Sequence, residues 1–339
     1  MRKMDRLEQT LSMAWRAMVA LMAFWAIGPG PASAQSAAAT YPNRPIKIIV
    51  PVTPGAGVDN GARMLAEKLR EAWGQPVLVE NRPGANTIIG TTAVARAAPD
   101  GYTLLFVANS HVILPLIASK LPYDANNDFA PVASFGYTPY LLLVHPAVPA
   151  QSLQQFIAYA RSKPGELNFG SSGVGAGSHM AGEVFNAMTG VRMQHVPYKG
   201  GGQAMTELMG GQIQVSWNTV NAAAPHIKSG RVRALAVSGD ARAAPIPDVP
   251  TFAEAGLPDY QETAWLGLFA PAGTPRPIID KLSGEVSKML RAPGMKESFE
   301  AQGLVPFIST PEQFADMLRK QTATLAPVVK AANIRMEGN

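Results

Sequence analysis

The sequence predicts an α/β protein with largely parallel sheets, built as two lobes around a ligand cleft. Three observations predict it. Short β-type runs alternate with helical patterns along the chain, as in βαβ architectures. A glycine-rich turn joins a strand to an amphipathic helix near the start, and a second turn of the same kind recurs in the second half. Two such turns suit a cleft at the carboxyl ends of two sheets, where open α/β folds take their ligands.

The first segment is excluded from the fold. Arg2, Lys3, Arg6 and Arg16 precede an apolar run from Ala17 to Ile27, which Gly28-Pro29-Gly30-Pro31 breaks, and Ala32-Ser33-Ala34 supplies small residues for a signal peptidase. Residues 1–34 read as a cleaved leader, with the mature chain starting at Gln35 in the periplasm. The run is short of the roughly 20 residues of a membrane span. Without the leader 305 of the 339 residues remain, enough for two domains.

The stretch from Arg44 to Gly90 carries the strongest local signal. Ile46, Ile48, Ile49, Val50 and Val52 form an apolar run suited to a strand covered on both faces, ended by Pro51 and Pro54. Asp59 reads as an N-cap, and Ala62, Leu65, Ala66, Leu69 and Trp73 recur at helical spacing before Gly74 stops the helix. Between them, Pro54-Gly55-Ala56-Gly57-Val58 lets backbone approach a ligand and aims N–H groups at it, which suits an anion. By itself the turn is equally a tight βα connection. Further strands are expected at Thr103–Val107, Tyr140–Val144, Leu167–Phe169, Gln194–Pro197, Ile213–Trp217, Leu235–Val237 and Trp265–Phe269. The chain is expected to cross between lobes near Leu141–Val144 and Tyr260–Trp265. In the second half, Asn168 to Gly177 runs from a strand into Ser178, which reads as the cap of a helix with Ala181, Val184, Phe185 and Met188 on one face, closed by Gly190.

Other chemistries fit poorly. The leader holds four basic and two acidic residues of the chain's 29 and 24, so the mature balance is 25 against 22. That excess of +3, with no basic block, excludes a nucleic-acid signature. Cysteine is absent, which removes disulfides, thiol chemistry and a lipid-bearing cysteine. Gly170-Ser171-Ser172-Gly173-Val174 misses the nucleophile elbow, and Gly55-Ala56-Gly57-Val58-Asp59-Asn60 lacks the third glycine of a dinucleotide fingerprint. His111, His145, His179, His195 and His226 show no metal-ligand pairing. No catalytic residue, cofactor or metal is expected. His179 and His195 keep a Ser-His device conceivable but read as helix-surface or core residues, so losing His179 should cost less ligand affinity than losing Ser172.

Tyr41-Pro42-x-Arg44-Pro45-Ile46, Pro51-x-x-Pro54-Gly55, Glu80-Asn81-Arg82-Pro83-Gly84-Ala85 and Pro99-Asp100-Gly101-Tyr102-Thr103-Leu104 resemble the N-terminal signature of the Bug proteins. These are the TctC-like extracytoplasmic receptors of tripartite tricarboxylate transporters. Asp128-Phe129-Ala130-Pro131-Val132, Gly170-Ser171-Ser172-Gly173, His179-x-Ala181-Gly182-Glu183, Val196-Pro197-Tyr198-Lys199-Gly200 and Asp248-Val249-Pro250-Thr251 are similar to later blocks, so the resemblance covers residues 40–338. It implies a two-lobed, type II periplasmic-binding-protein-like fold that closes on a small carboxylate without catalysis. Residues 40–142 and 263–339 would form lobe 1 and residues 143–262 lobe 2.

The resemblance also implies the contacts: Pro54, Gly55, Ala56, Gly57, Val58 and Asp59 from the first lobe, then Ser172, Gly173, Ser178, Pro197, Tyr198, Lys199 and Asn218 from the second. Tyr198, Trp217 and Trp265 read either as a stacking surface for an aromatic ligand or as core. Ala56 and Val58 stand where glycine and a hydroxyl residue are usual, Leu114 where asparagine is, and Gln214 and Asn218 where aspartate is frequent. Those departures favour a carboxylate with an apolar or aromatic body and one or two acid groups. The implied partners are that ligand and the membrane permease subunits, with the receptor itself a monomer. The alternative is a periplasmic protein that presents its ligand to a signalling sensor.

Overall fold

The computed structural model describes residues 40–55, 57–301 and 303–336; the expected leader, residues 1–34, and Ala56 lie outside them. Among the described residues the chain begins with β1 (Ile46–Val50), α1 (Gly57–Trp73), β2 (Val77–Asn81), α2 (Ile88–Ala95), β3 (Thr103–Ala108) and α3 (Ser110–Ile117). A long strand, β4 (Phe129–Val144), leads to α4 (Leu153–Arg161), β5 (Asn168–Ser171), α5 (Gly177–Thr189), β6 (Gln194–Pro197) and α6 (Gly201–Met209). Then come β7 (Val215–Thr219), α7 (Val220–Lys228), β8 (Arg233–Val237), β9 (Thr263–Pro271), α8 (Arg276–Leu290), α9 (Met295–Ala301), β10 (Val305–Pro306) and α10 (Pro311–Ala331).

Two sheets share one strand. The first runs β2-β1-β3-β9-β4, with β10 on the far side of β4; β1 is parallel to β2 and β3, and β9 enters antiparallel between β3 and β4. The second is built on β4, flanked by β8 on one side and by β7-β5-β6 on the other, with β5 parallel to both β6 and β7. Phe129 to Pro139 pair with β9, whereas Tyr140 to Val144 pair with β7 and β8. β4 therefore passes from one sheet to the other between Pro139 and Tyr140, just ahead of the expected crossing.

Sequence patterning explains most elements. Ile46, Ile48, Ile49 and Val50 are at most 1% exposed, as a strand covered on both faces requires. Ala62, Leu65, Ala66 and Leu69 form the buried face of α1, and Gly74, at φ +63°, ends it with an N–H bond to the carbonyl of Arg70. β4 begins at Phe129, well before the expected Tyr140. Pro131 and Pro139 argue against a strand there, but the register shifts between Pro131 and Ala133 and between Ser134 and Gly136, and such bulges accommodate residues that a regular ladder rejects. In α5, Ala181, Val184 and Phe185 are buried as expected; Met188 is exposed. No helix among the described residues is long and apolar enough to cross a membrane.

Candidate ligand-binding site

Parallel strands place their following loops on one edge. The loops after β1, β2 and β3 leave the first sheet from its carboxyl edge, and those after β5, β6 and β7 do so in the second. The loop after β5 packs on the first half of the chain, since a Cβ on Gly175 would strike the side chain of Ile117, the last residue of α3.

In the first loop Pro54, Gly55 and Gly57 are exposed and Val58 is half-buried. Asp59 is not the helix cap expected from the sequence. The helix already begins at Gly57, which puts Asp59 in the first turn, and its carboxylate is 1% exposed. Oδ2 accepts the Gly55 N–H at 2.8 Å and Arg63 Nε at 3.0 Å, while Oδ1 accepts Asn81 Nδ2 at 2.9 Å. Burial alone would raise the pKa of Asp59; bonds from Arg63, Gly55 and Asn81, with the Arg63 charge, outweigh it and hold the carboxyl below its ordinary value. Asp59 thus shapes the loop from beneath.

The second loop has its own frame. Ser178 is not the N-cap either: Ala176 occupies that position without a side-chain bond, and Ser178 Oγ instead accepts the Ser172 N–H at 3.1 Å and lies 3.0 Å from Ser172 Oγ. Ser171 Oγ accepts the Gly173 N–H at 3.1 Å and meets His195 Nε2 at 2.6 Å. His179 Nδ1 accepts the Gly175 N–H at 3.1 Å, and its ring stacks on His195 at 3.6 Å. Burial first, then the neighbouring His179, pushes His195 down to about 3, so it is neutral at physiological pH and fit to accept from the serine. With the Ala176 N–H donating to the Gly173 carbonyl at 3.2 Å, four loop amides are bonded within the loop. Those of Val174, Gly177 and Ser178 make no hydrogen bond among the described residues, and they surround the amino terminus of α5.

Of the remaining expected residues, Tyr198 is the one hydrogen-bonded to this loop among the described residues. Pro197 ends β6, and the Tyr198 N–H donates to the Ser171 carbonyl at 3.1 Å. Lys199 is exposed and enters no ion pair among the described residues. Asn218 has both ends of its amide engaged, Nδ2 donating to the Gly201 carbonyl at 3.1 Å and Oδ1 accepting the Thr219 N–H at 3.0 Å, so it fixes the start of α6. Trp217 and Trp265 are 1% and 2% exposed; Trp217 packs on Phe169 and Phe185, and Trp265 on Phe314, so both belong to the core. Leu114 is fully buried, and Gln214 Oε1 accepts the Asn168 N–H at 3.0 Å.

Sequence reading saw a glycine turn after β2 but placed no candidate contact in the loops after β2 and β3. Gly84, Ala85, Asn86 and Thr87 all have positive φ, from +46° to +124°, a run that L residues avoid. Thr87 Oγ1 donates to Ser110 Oγ at 3.4 Å, and Asn109 clamps β9 by donating to the Thr263 carbonyl and accepting the Trp265 N–H. The available signal was the turn at Gly84, whose partner across the edge no local pattern reveals.

The family of tripartite tricarboxylate transporter receptors, TctC, matches residues 61–334. The chain belongs to that family. It is 38% identical over 308 residues to the protein BugT of Bordetella pertussis, covering 90% of this chain and 94% of that protein. Among solved structures, R. palustris Rpa4515 with adipate is 33% identical with a TM-score of 0.74, covering 87% of this chain and 99% of that one. MatC from Rhodopseudomonas palustris, with bound malate, is also 33% identical, with a TM-score of 0.70 over 85% and 100% of the two chains. This TctC-family chain is accordingly a solute-binding receptor with the periplasmic solute-binding fold.

Proposed function

We propose that this receptor is exported by cleavage after residue 34 and captures a small carboxylate in the periplasm, without chemistry, for the membrane permease of a tripartite tricarboxylate transporter. The observation that carries this is the set of amides of Val174, Gly177 and Ser178 at the start of α5 that make no hydrogen bond among the described residues. Oriented N–H groups at a helix terminus suit an anion and need no titrating side chain. Lys199 adds an unpaired positive charge on the adjacent loop. Two lobes, with the expected first boundary at residue 142 moved back to the crossing at Pro139-Tyr140, close about that crossing.

Solved relatives with adipate and with malate favour dicarboxylic acids. A thermal-shift panel of mono- and dicarboxylates, aliphatic and aromatic, followed by calorimetry, tests the reading. A dicarboxylate should raise the melting temperature and bind one to one to a monomer. No carboxylate binding at millimolar concentration, or turnover of one that does bind, would reject it.

A further inference from the structure

Glu262 sits where the two sheets meet. It precedes Thr263, the first residue of β9, which pairs with Pro139; the next residue of β4, Tyr140, already belongs to the second sheet. The residue is 7% exposed, and its carboxyl enters no ion pair among the described residues. A buried acid without a counter-charge favours its neutral form.

The groups around it are few. From β4 comes Tyr140, and from the crossing segment itself Tyr260, both in the core. Burial, then the nearby Glu262, raises both phenols, so they keep their protons. Tyr140 reaches the start of α5, where a Cβ on Gly177 would strike its hydroxyl, and Tyr260 donates to the Ala181 carbonyl of the same helix at 2.8 Å. A pocket of about 320 Å³ gives access from solvent. Its charged lining besides Glu262 is Asp259 and, from α10, Lys320, whose ammonium lies 2.8 Å from Asp316; α5 contributes only Val184 and Met188, and β9 Thr263 and Trp265.

We propose that Glu262 is a proton-binding site coupled to the ligand cleft, holding its proton while the amino terminus of α5 carries an anion and releasing it as the lobes open. This rests on the cleft assignment above and adds a second, co-bound species. An anion at Gly177 lies one tyrosine away from the acid, and like charge disfavours ionisation. An ionised Glu262 seeks water, which it gains when the crossing strands part. Burial pushes its carboxyl up to about 7, so both forms are within reach near neutrality.

Small-angle scattering of the ligand-free protein at pH about 5.5 and about 8.5, on either side of that value, tests the hinge. The wild-type radius of gyration should be larger at the higher pH, and Glu262→Gln should keep the smaller value at both. A wild type indifferent to pH, or a variant that follows it, overturns the proposal. Titrating adipate near pH 7 in two buffers of different ionisation enthalpy should show uptake of about half a proton per ligand in wild type and none in the variant. Equal uptake in both also overturns the coupling. If no carboxylate binds, the cleft reading fails while the scattering still decides Glu262. Should Glu262→Gln not fold, carbon-13 spectra of the wild-type carboxyl decide: a midpoint within about one unit of 7 supports the site, and the ordinary carboxylate value refutes it.

Discussion

Asp59 Oδ2 accepts the N–H of Gly55 at 2.8 Å, so the acid that closes the first glycine turn belongs to the helix that follows it. Asp59→Ala leaves that amide, Asn81 and the Arg63 guanidinium without their buried acceptor. The variant should lose about 2–4 kcal/mol in urea denaturation at neutral pH, because charged buried acceptors cost most to remove. The folded carboxyl lies below its ordinary value, so its stabilisation is present above that value and lost as pH falls through the folded one. The gap between wild type and variant should therefore narrow in acid below about pH 4.

Gly57→Val and Gly173→Val separate ligand approach from backbone strain. Gly57 is helical and nothing lies within 4 Å of a Cβ placed there, so the variant should fold at near wild-type stability. Gly173 has φ +127°, and valine there should cost about 1–3 kcal/mol in the fold itself. Both should abolish calorimetric binding of any acid that binds wild type. Full affinity in Gly57→Val would show that no ligand approaches the first turn.

The expectation that His179→Ala is milder than Ser172→Ala concerns ligand affinity; for stability the structure sets the opposite order. The ring is 3% exposed, accepts the Gly175 N–H and stacks on His195. Its removal should cost about 2 kcal/mol through the cavity and the unpaired amide. Ser172→Ala, which loses one neutral contact to Ser178, should cost about 1 kcal/mol or less. Thermal denaturation gives the order, and a His179→Ala milder than Ser172→Ala would contradict the loop frame.

Glu262→Gln should stabilise the protein at alkaline pH. The folded carboxyl is raised to about 7 from the ordinary 4.5, so wild-type stability falls as pH rises between those values and stays low above them. The variant lacks that fall, and the difference above pH 7 should approach about 3 kcal/mol. Identical stability profiles would mean that Glu262 titrates normally.

The fold was legible where burial and period coincide. Ile46 to Val50, the face from Ala62 to Leu69 and the α5 residues Ala181, Val184 and Phe185 each carry a local pattern that tertiary packing leaves intact. Long-range partners were not. Pro131 and Pro139 hid the first part of β4, because the bulge at Pro131 and the change of sheet after Pro139 both depend on distant partner strands. The two glycine turns were visible, but Asp59 and Ser178 were misread as caps because each reaches back to an amide whose position only the folded loop sets. His195 meets Ser171 across two parallel strands, a pairing with no signature in either segment.

The position of β9 between β3 and β4 bears on when the molecule takes shape. Everything from Ile46 to Val144 is synthesised long before Thr263, yet β3 and β4 lack their common neighbour until that strand arrives. The first sheet stays split along its middle until most of the chain has been made. Contacts between distant segments form slowly, and here the central pairing of the first sheet waits for a late strand. Under the export proposed above, with the chain threaded unfolded, this order of strands delays compaction until little remains to be threaded.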